Sequence, residues 1–257
     1  MSSSGEEIKL LSFLIPARNE QNYIGDCIKS ILSENISTPY EIIVIDNASS
    51  DDTSRTAKQH NVRVVLEKKV GLSFARQRGF LESKGNLLVY IDADTRLQSG
   101  IIEKICRSFE MNHSLVALSP SWTYYDVGSN LNAFLGMYQD FVWSVMHTVR
   151  SLFKKSDFLT GYMMVIRKST LEKVGGIDHD YPFYGEDIAI SQKLHKYGVI
   201  FFDKQIKVKT SSRRYKRLGV FKTSWRYFFM YFMVFVGGRK LAQKFSKVYA
   251  YEADASH

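Results

Sequence analysis

Aliphatic runs alternate with amphipathic stretches through the first hundred positions. Ile8 to Ile15 is apolar enough for a buried strand, and Pro16 closes it. Asn19 and Glu20 start a helix whose apolar positions Tyr23, Ile24, Cys27, Ile28, Ile31 and Leu32 recur with the helical period. After a polar break at Ser33 to Pro39, Glu41 to Ile45 is a second buried strand, ending at Asp46. Asp51 and Asp52 occupy the acidic start of a helix over Thr53 to His60, and Val62 to Leu66 is a third strand. Gly71 precedes a helix that runs through Phe74, Ala75 and Phe80 to Lys84, where Gly85 stops it. Leu87-Leu88-Val89-Tyr90-Ile91 then reads as a strand buried on both faces, and it ends on Asp92-Ala93-Asp94.

Strand followed by helix, four times over with short connections, predicts an α/β fold: a Rossmann-like, mostly parallel central sheet flanked by helices. Right-handed crossovers gather the carboxyl ends of these strands along one edge, where open α/β sheets bind their ligands. Three polar clusters fall there: Pro16-Ala17-Arg18-Asn19, Asp46-Asn47-Ala48-Ser49 and Asp92-Ala93-Asp94. The second half is less regular. It predicts a helix at Ile101 to Met111, a strand at Ser114 to Ser119 and a long aromatic-rich helix at Leu131 to Phe153. A strand at Gly161 to Ile166, a turn at Gly175-Gly176 and a helix from Glu186 to Tyr197 follow. Two short strands, Val199 to Phe202 and Ile206 to Val208, lead into a basic, aromatic tail.

Residues i and i+2 of an extended chain point the same way, so Asp92 and Asp94 can reach one object. Two adjacent carboxylates repel, and a hard divalent cation such as Mg2+ or Mn2+ relieves the repulsion; the alternative is a solvated acidic turn. Arg18, beside the exposed amides of a helix start, suits an anion, and the alternative there is an ordinary turn capped by Asn19. Asp46 with Ser49 reads a base or ribose, or else caps the following helix. Gly71 opens a helix carrying Arg76 and Arg78, which lie too far apart around the helix to face one site. Arg76, one turn from the glycine, is the candidate, and Arg78 is a surface residue. Gly185-Glu186-Asp187 opens the late helix after Tyr181-Pro182-Phe183-Tyr184. Its carboxylates are helix-dipole partners, or one of them is a general base beside aromatic walls that stack on a sugar.

Charge sharpens the picture once it is located. The chain of 257 residues carries a net +9, yet 204–247 alone holds 13 Lys and Arg and no acid, so the remainder is net negative. Such a segment fits a local anionic partner, in particular lipid headgroups. Nucleic acid is set aside because no nucleic-acid motif accompanies the tail. Phe228 to Val236 is too short to span a bilayer and, with Trp225 and flanking cations, suits an interfacial helix; a core or dimer helix is the other reading. Cys27 and Cys106 have no metal or pairing pattern, and Met1 to Glu7 resembles no targeting segment, so a cytoplasmic protein is expected.

These residues carry a resemblance. Leu-Ile-Pro-Ala-Arg-Asn-Glu (14–20), Val-Ile-Asp-Asn-Ala-Ser-Ser-Asp-Asp-Thr (44–53), Gly-Leu-Ser-Phe-Ala-Arg-Gln-Arg-Gly (71–79), Asp-Ala-Asp (92–94) and Gly-Glu-Asp (185–187) follow one another as in the family 2 inverting glycosyltransferases. The resemblance covers about residues 8–215 and implies one glycosyltransferase A-type domain: a nucleotide-binding half at 8–95, an acceptor half at 96–215, and a helical tail at 216–257. It implies a UDP-, GDP- or dTDP-linked sugar donor and Mg2+ or Mn2+. By position, Pro16, Arg18 and Glu20 line the nucleotide pocket, Asp46 meets the base and Arg76 lies at the nucleotide. Asp92 lies near the ribose or donor sugar, Asp94 holds the metal, Asp187 is the base, and Glu186 orients the acceptor. Ser49, Gly71 and Ala93 complete the candidate donor site.

The Gln-x-x-Arg-Trp motif of processive synthases is absent, since Lys193, Leu194, His195 and Lys196 follow Gln192. A single transfer is therefore expected, to a hydroxyl or phosphate acceptor. The basic tail points to a lipid-linked acceptor, such as a polyprenyl phosphate or glycolipid, at the cytoplasmic face of a membrane. Two competing readings are a non-catalytic nucleotide-sugar binding module and a nucleotidyltransferase; the latter should carry a glycine-rich, lysine-containing phosphate loop near its start, which this chain lacks. The sequence leaves oligomeric state open.

Overall fold

A computed structural model describes residues 7–152, 158–179, 185–226 and 229. The four early strands form as expected: β1 (Leu11–Ala17), β2 (Tyr40–Asp46), β3 (Arg63–Leu66) and β4 (Leu87–Ile91). They lie parallel in the order β3-β2-β1-β4, so Ala17, Asp46, Leu66 and Ile91 end at the same edge. Every residue of β1 and β4 is buried, which explains their unbroken apolar runs. β1 continues through Pro16 instead of closing there. Pro16 pairs in register with Ile45, while the ladder to β4 has already ended at Leu14, so the missing N–H is tolerated.

The second half completes the same sheet. β6 (Leu115–Tyr124), β7 (Met163–Arg167) and β8 (Val199–Thr210) extend it, with β5 (Thr95–Arg96) beyond β8, giving eight strands in the order β3-β2-β1-β4-β7-β6-β8-β5. β7 runs antiparallel beside β4, while β6 and β8 pair in parallel. The two short strands expected at 199–202 and 206–208 are one strand. Its register against β6 shifts between Pro120 and Ser121, and this irregularity interrupts the apolar pattern.

Helices cover both faces. α1 (Ile24–Leu32), α2 (Thr53–Lys58) and α4 (Ile101–Met111) bury Ile24, Ile28, Ala57, Ile105 and Phe109 against one face. α3 (Leu72–Glu82), α6 (Lys168–Lys173) and α7 (Glu186–Leu194) bury Ala75, Phe80, Leu171, Ile190 and Leu194 against the other. α1 starts at Ile24 and not at Asn19. Asn19 adopts φ +55°, and a turn at 21–23 precedes the helix. Leu32, expected on the inner face, is 47 % exposed because α1 ends there. α5 (Ser129–Leu152) and α8 (Arg213–Leu218) pack together at one side, through Leu135, Tyr124 and Tyr215.

Candidate active site

The first two loops are stitched together before any ligand is considered. The Asn19 amide donates to Ser49 Oγ (3.1 Å), the Glu20 amide to Thr53 Oγ1 (2.8 Å), and Asn19 Oδ1 accepts from the Ser50 amide (2.9 Å). Asn19 is thus a bridge between loops and caps no helix. Asp46 is buried, and its oxygens accept from the Ser49 amide (3.0 Å) and Ser54 Oγ (2.6 Å). One carboxylate oxygen is held by the loop that follows and the other by the second residue of α2, whose N-cap is Asp52. Asn47 reaches the third loop, accepting from the Gly71 amide at 2.7 Å and donating to the Lys69 carbonyl at 2.7 Å. Gly71 has φ +142°, a backbone state that favours glycine. Pro16 lies buried in β1, and Arg18 follows on the loop beyond it, partly exposed.

Arg76 lies deeper than expected. It is 1 % exposed, and its guanidinium donates to Glu186 Oε1 (2.5 Å), the Gly161 carbonyl (2.8 Å) and Asp92 Oδ1 (3.2 Å). One cation therefore joins α3, the end of β4, the turn before β7 and the start of α7. Glu186 is buried with Oε2 unpartnered, whereas Asp187 is partly exposed. Asp187 Oδ1 accepts from the Ile188 amide at 2.8 Å, and the Gly161 N–H also donates to its carboxylate. Burial raises the pKa of both acids, against the pull of Arg76. Gly161 fits between Arg76 and Asp187: an added Cβ would stand 3.5 Å from the guanidinium and 3.7 Å from Asp187 Oδ2.

Asp92 and Asp94 lie close enough for the charge of Asp94 to raise the Asp92 pKa, yet they pair with different arginines. The Asp92 amide donates to the Tyr162 carbonyl (3.1 Å), and its own carbonyl accepts from the Thr95 amide (2.9 Å), fixing the turn, with Ala93 buried between the two acids. Burial lifts Asp92 to about 6 despite Arg76. Asp94 Oδ2 lies 3.0 Å from Arg213 Nε, and Oδ1 accepts weakly from Thr210 Oγ1 (3.4 Å). The Arg213 fork also grips both oxygens of Glu20, one at 2.7 Å, and the guanidinium lies 4.7 Å from the Tyr23 ring centre. Burial outweighs that fork and lifts Glu20 to about 7. Sequence reasoning missed Arg213, because no spacing relates the first residue of α8 to positions 20 and 94. The aromatic run at 181–184 falls outside the described residues. Tyr162, whose carbonyl holds the Asp92 amide, belongs to an aromatic pair with Trp122, their ring centres 4.6 Å apart.

Among the described residues no cluster of three or more His, Cys, Asp or Glu forms a metal site on its own. Asp92 and Asp94 nevertheless offer hard oxygen donors that fit Mg2+ or Mn2+, provided a ligand such as a diphosphate supplies the other positions.

The Glycosyl transferase family 2 sequence model matches residues 12–175, more than half of the chain. The chain belongs to that family. A poly-beta-1,6-N-acetyl-D-glucosamine synthase of Staphylococcus epidermidis is 27 % identical over 212 residues, covering 80 % of this chain and 50 % of that protein. A 4,4'-diaponeurosporenoate glycosyltransferase of Staphylococcus aureus is 31 % identical over 110 residues, 40 % of this chain and 29 % of that one. This family member thus spans half or less of the length of these curated relatives. Among solved structures, glucosyl-3-phosphoglycerate synthase of Mycobacterium tuberculosis, with Mn2+, UDP and glucosyl-3-phosphoglycerate, superposes with a TM-score of 0.64 at 18 % identity. The match covers 90 % of this chain and 81 % of that one. A mannosyltransferase of Pyrobaculum calidifontis, in complex with GDP-Man and Mn2+, gives 0.62 at 16 % identity over 88 % and 61 % of the two chains. The fold of this family 2 member is the glycosyltransferase A-type.

Proposed function

We propose that this family 2 chain is a metal-dependent, inverting, non-processive glycosyltransferase that moves one sugar from a nucleotide-diphosphate donor to a hydroxyl or phosphate acceptor. The observation that carries the reading is the Arg76 junction, which ties Asp92 on the donor side to Glu186 beside Asp187 on the acceptor side. Relatives whose structures hold GDP-Man or UDP with Mn2+ support the donor class. The donor lies along the carboxyl edge of β1, β2 and β4, past Pro16, Arg18, Glu20, Asp46, Ser49 and Gly71.

Asp94 and Asp92 would hold a divalent cation, which would supply charge neutralisation for the diphosphate leaving group. Asp187 accepts the acceptor O–H proton, a task that a carboxylate with a raised pKa performs well. The acceptor oxygen bonds to the anomeric carbon from the side opposite the diphosphate. The bond from that carbon to the diphosphate oxygen breaks, its electron pair leaves with the diphosphate, and the configuration inverts. The burial of Arg76 and Glu186 supports a positioning role for both, with Arg76 beneath the donor and Glu186 holding Arg76 in place. The absence of Gln-x-x-Arg-Trp supports single transfer, and the acid-free basic tail supports a lipid-linked acceptor, a polyprenyl phosphate or glycolipid, at an anionic cytoplasmic membrane face. Phe228 to Val236, the core of that expectation, lies outside the described residues except Phe229.

The test is calorimetric titration of UDP, GDP and dTDP with and without Mn2+ or Mg2+. One nucleotide should bind, and its metal-dependent affinity should be lost in Asp94→Asn. Metal-dependent binding that persists in that variant would remove Asp94 from the reading.

A further inference from the structure

Among the described residues, α5 carries an apolar stripe that the core does not use. Phe134, Met137, Phe141 and Val145 are exposed and repeat at three- and four-residue spacing, which places them on one face of the helix. Leu135 is the buried contact, packed with Tyr124 and Tyr215, and Val220 packs against the same cluster. Tyr138 Oη donates to the Ser224 carbonyl at 3.2 Å, so the helical segment at 220–226 lies along α5. Successive helix residues turn by roughly 100°. The stripe therefore lies on the Tyr138 flank of α5, and Phe221 and Trp225 lie just outward of the Ser224 flank of the neighbouring segment. Met137, Phe141, Phe221 and Trp225 are 65, 69, 90 and 66 % exposed. The two helices thus present one aromatic and aliphatic surface.

Its surroundings select the partner. The one acid of α5, Asp140, is paired with Lys204 at 3.4 Å, and Asp126, at the start of the same region, is paired with Lys216 at 3.2 Å. Lys207 and Lys209 on β8, Arg217 on α8 and Lys222 on the 220–226 segment are exposed as well. A second copy docked through a two-fold axis would bring this basic rim against itself, which like-charge repulsion disfavours. An anionic bilayer accepts both parts, cations at the headgroups and aromatic and aliphatic side chains at the acyl boundary.

We infer that α5 and the segment 220–226 together form a membrane-docking face, seated in the plane of an anionic bilayer. This deepens the lipid-linked acceptor reading and locates it on described residues. α8, whose first residue grips Glu20 and Asp94, is held in the same Leu135–Tyr124–Tyr215 cluster, so the docked face and the active site share a support.

The test uses the full chain and phosphatidylcholine vesicles with and without phosphatidylglycerol, in the absence of any sugar donor. Sedimentation is compared at about 0.1 M and about 1 M salt, between which the screening length falls from roughly 10 Å to roughly 3 Å. Wild type should bind the anionic vesicles and retain part of that binding at high salt. The triple variant Phe134→Ser, Met137→Ser, Phe141→Ser should lose about tenfold of the salt-resistant binding, the stripe's apolar burial being its source, with nucleotide binding unchanged. A nitroxide at Phe141→Cys should become more accessible to oxygen than to a water-soluble nickel chelate when vesicles are added; Cys27 and Cys106 are buried. The inference is overturned if the triple variant sediments like wild type, if the nitroxide stays water-accessible, or if the triple variant only converts a dimer to a monomer. Glycosyl transfer to a water-soluble acceptor is measured separately, so loss of docking and loss of catalysis are told apart.

Discussion

Arg76 Nη1 lies 2.5 Å from Glu186 Oε1 although 110 residues separate them, and both side chains are buried. The same guanidinium reaches Asp92. Removing it leaves Glu186 and Asp92 without their cation in a low-dielectric setting. Arg76→Met should therefore cost about 3–5 kcal/mol in urea unfolding at neutral pH. Arg76→Lys should restore only part, because an ammonium lacks the planar fork that meets three acceptors.

The parts of this network differ in how visible they were. Asp92 and Asp94 stood out because two carboxylates pointing one way at the end of a buried strand repel unless something lies between them. β1, β2 and β4 were legible because parallel strands covered on both faces are continuously apolar. Arg76 was singled out, but spacing along α3 could not say whether it faced a nucleotide or the interior. The turn before β7, inserted next to β4, brings Gly161 to it, and the start of α7 brings Glu186. Arg213 was illegible, since its contacts with residues 20 and 94 depend on the path of β8. The bulge in that strand also hid its continuity.

Asp92 and Glu20 set a pH dependence. Burial raises them from 3.8 to about 6 and from 4.5 to about 7. As pH rises the unfolded chain releases these protons first, so the stability they contribute is full below about pH 4 and is lost by about pH 7. Without added metal, the melting temperature should fall between about pH 4 and about pH 7. In Asp92→Asn, Glu20→Gln that fall should shrink, as read by scanning calorimetry.

A cation at Asp94 must compete with Arg213. Arg213→Ala should tighten nucleotide-free Mn2+ binding by roughly fivefold, matching about 1 kcal/mol for a partly exposed pair. Electron paramagnetic resonance of free Mn2+ would measure it, and weaker binding would show that Arg213 supports the site.

Asp187→Asn keeps the size and shape of the side chain but removes the proton acceptor. Donor and Mn2+ affinities should stay within about twofold while kcat falls by about a hundredfold or more. Near wild-type turnover would move the base elsewhere.

Gly85 lies where β1 passes closest to the end of α3. A Cβ there would stand 2.6 Å from the Leu10 carbonyl and 2.7 Å from the Ser12 amide, both backbone atoms that cannot turn aside. Gly85→Ala should cost about 1–3 kcal/mol in chemical denaturation without changing nucleotide specificity.

The antiparallel seam between β4 and β7 lies in the middle of the sheet, where one half of the chain meets the other. A fragment ending near residue 95 would keep all the donor-side loops yet turn Leu87-Leu88-Val89-Tyr90-Ile91 into a bare edge. Such an edge, long, apolar and without a charge, recruits strands from other chains. The half that we propose binds the donor is therefore not a portable module: expressed alone it should precipitate, and a sugar-specificity swap between relatives has to carry β7 along with the loops.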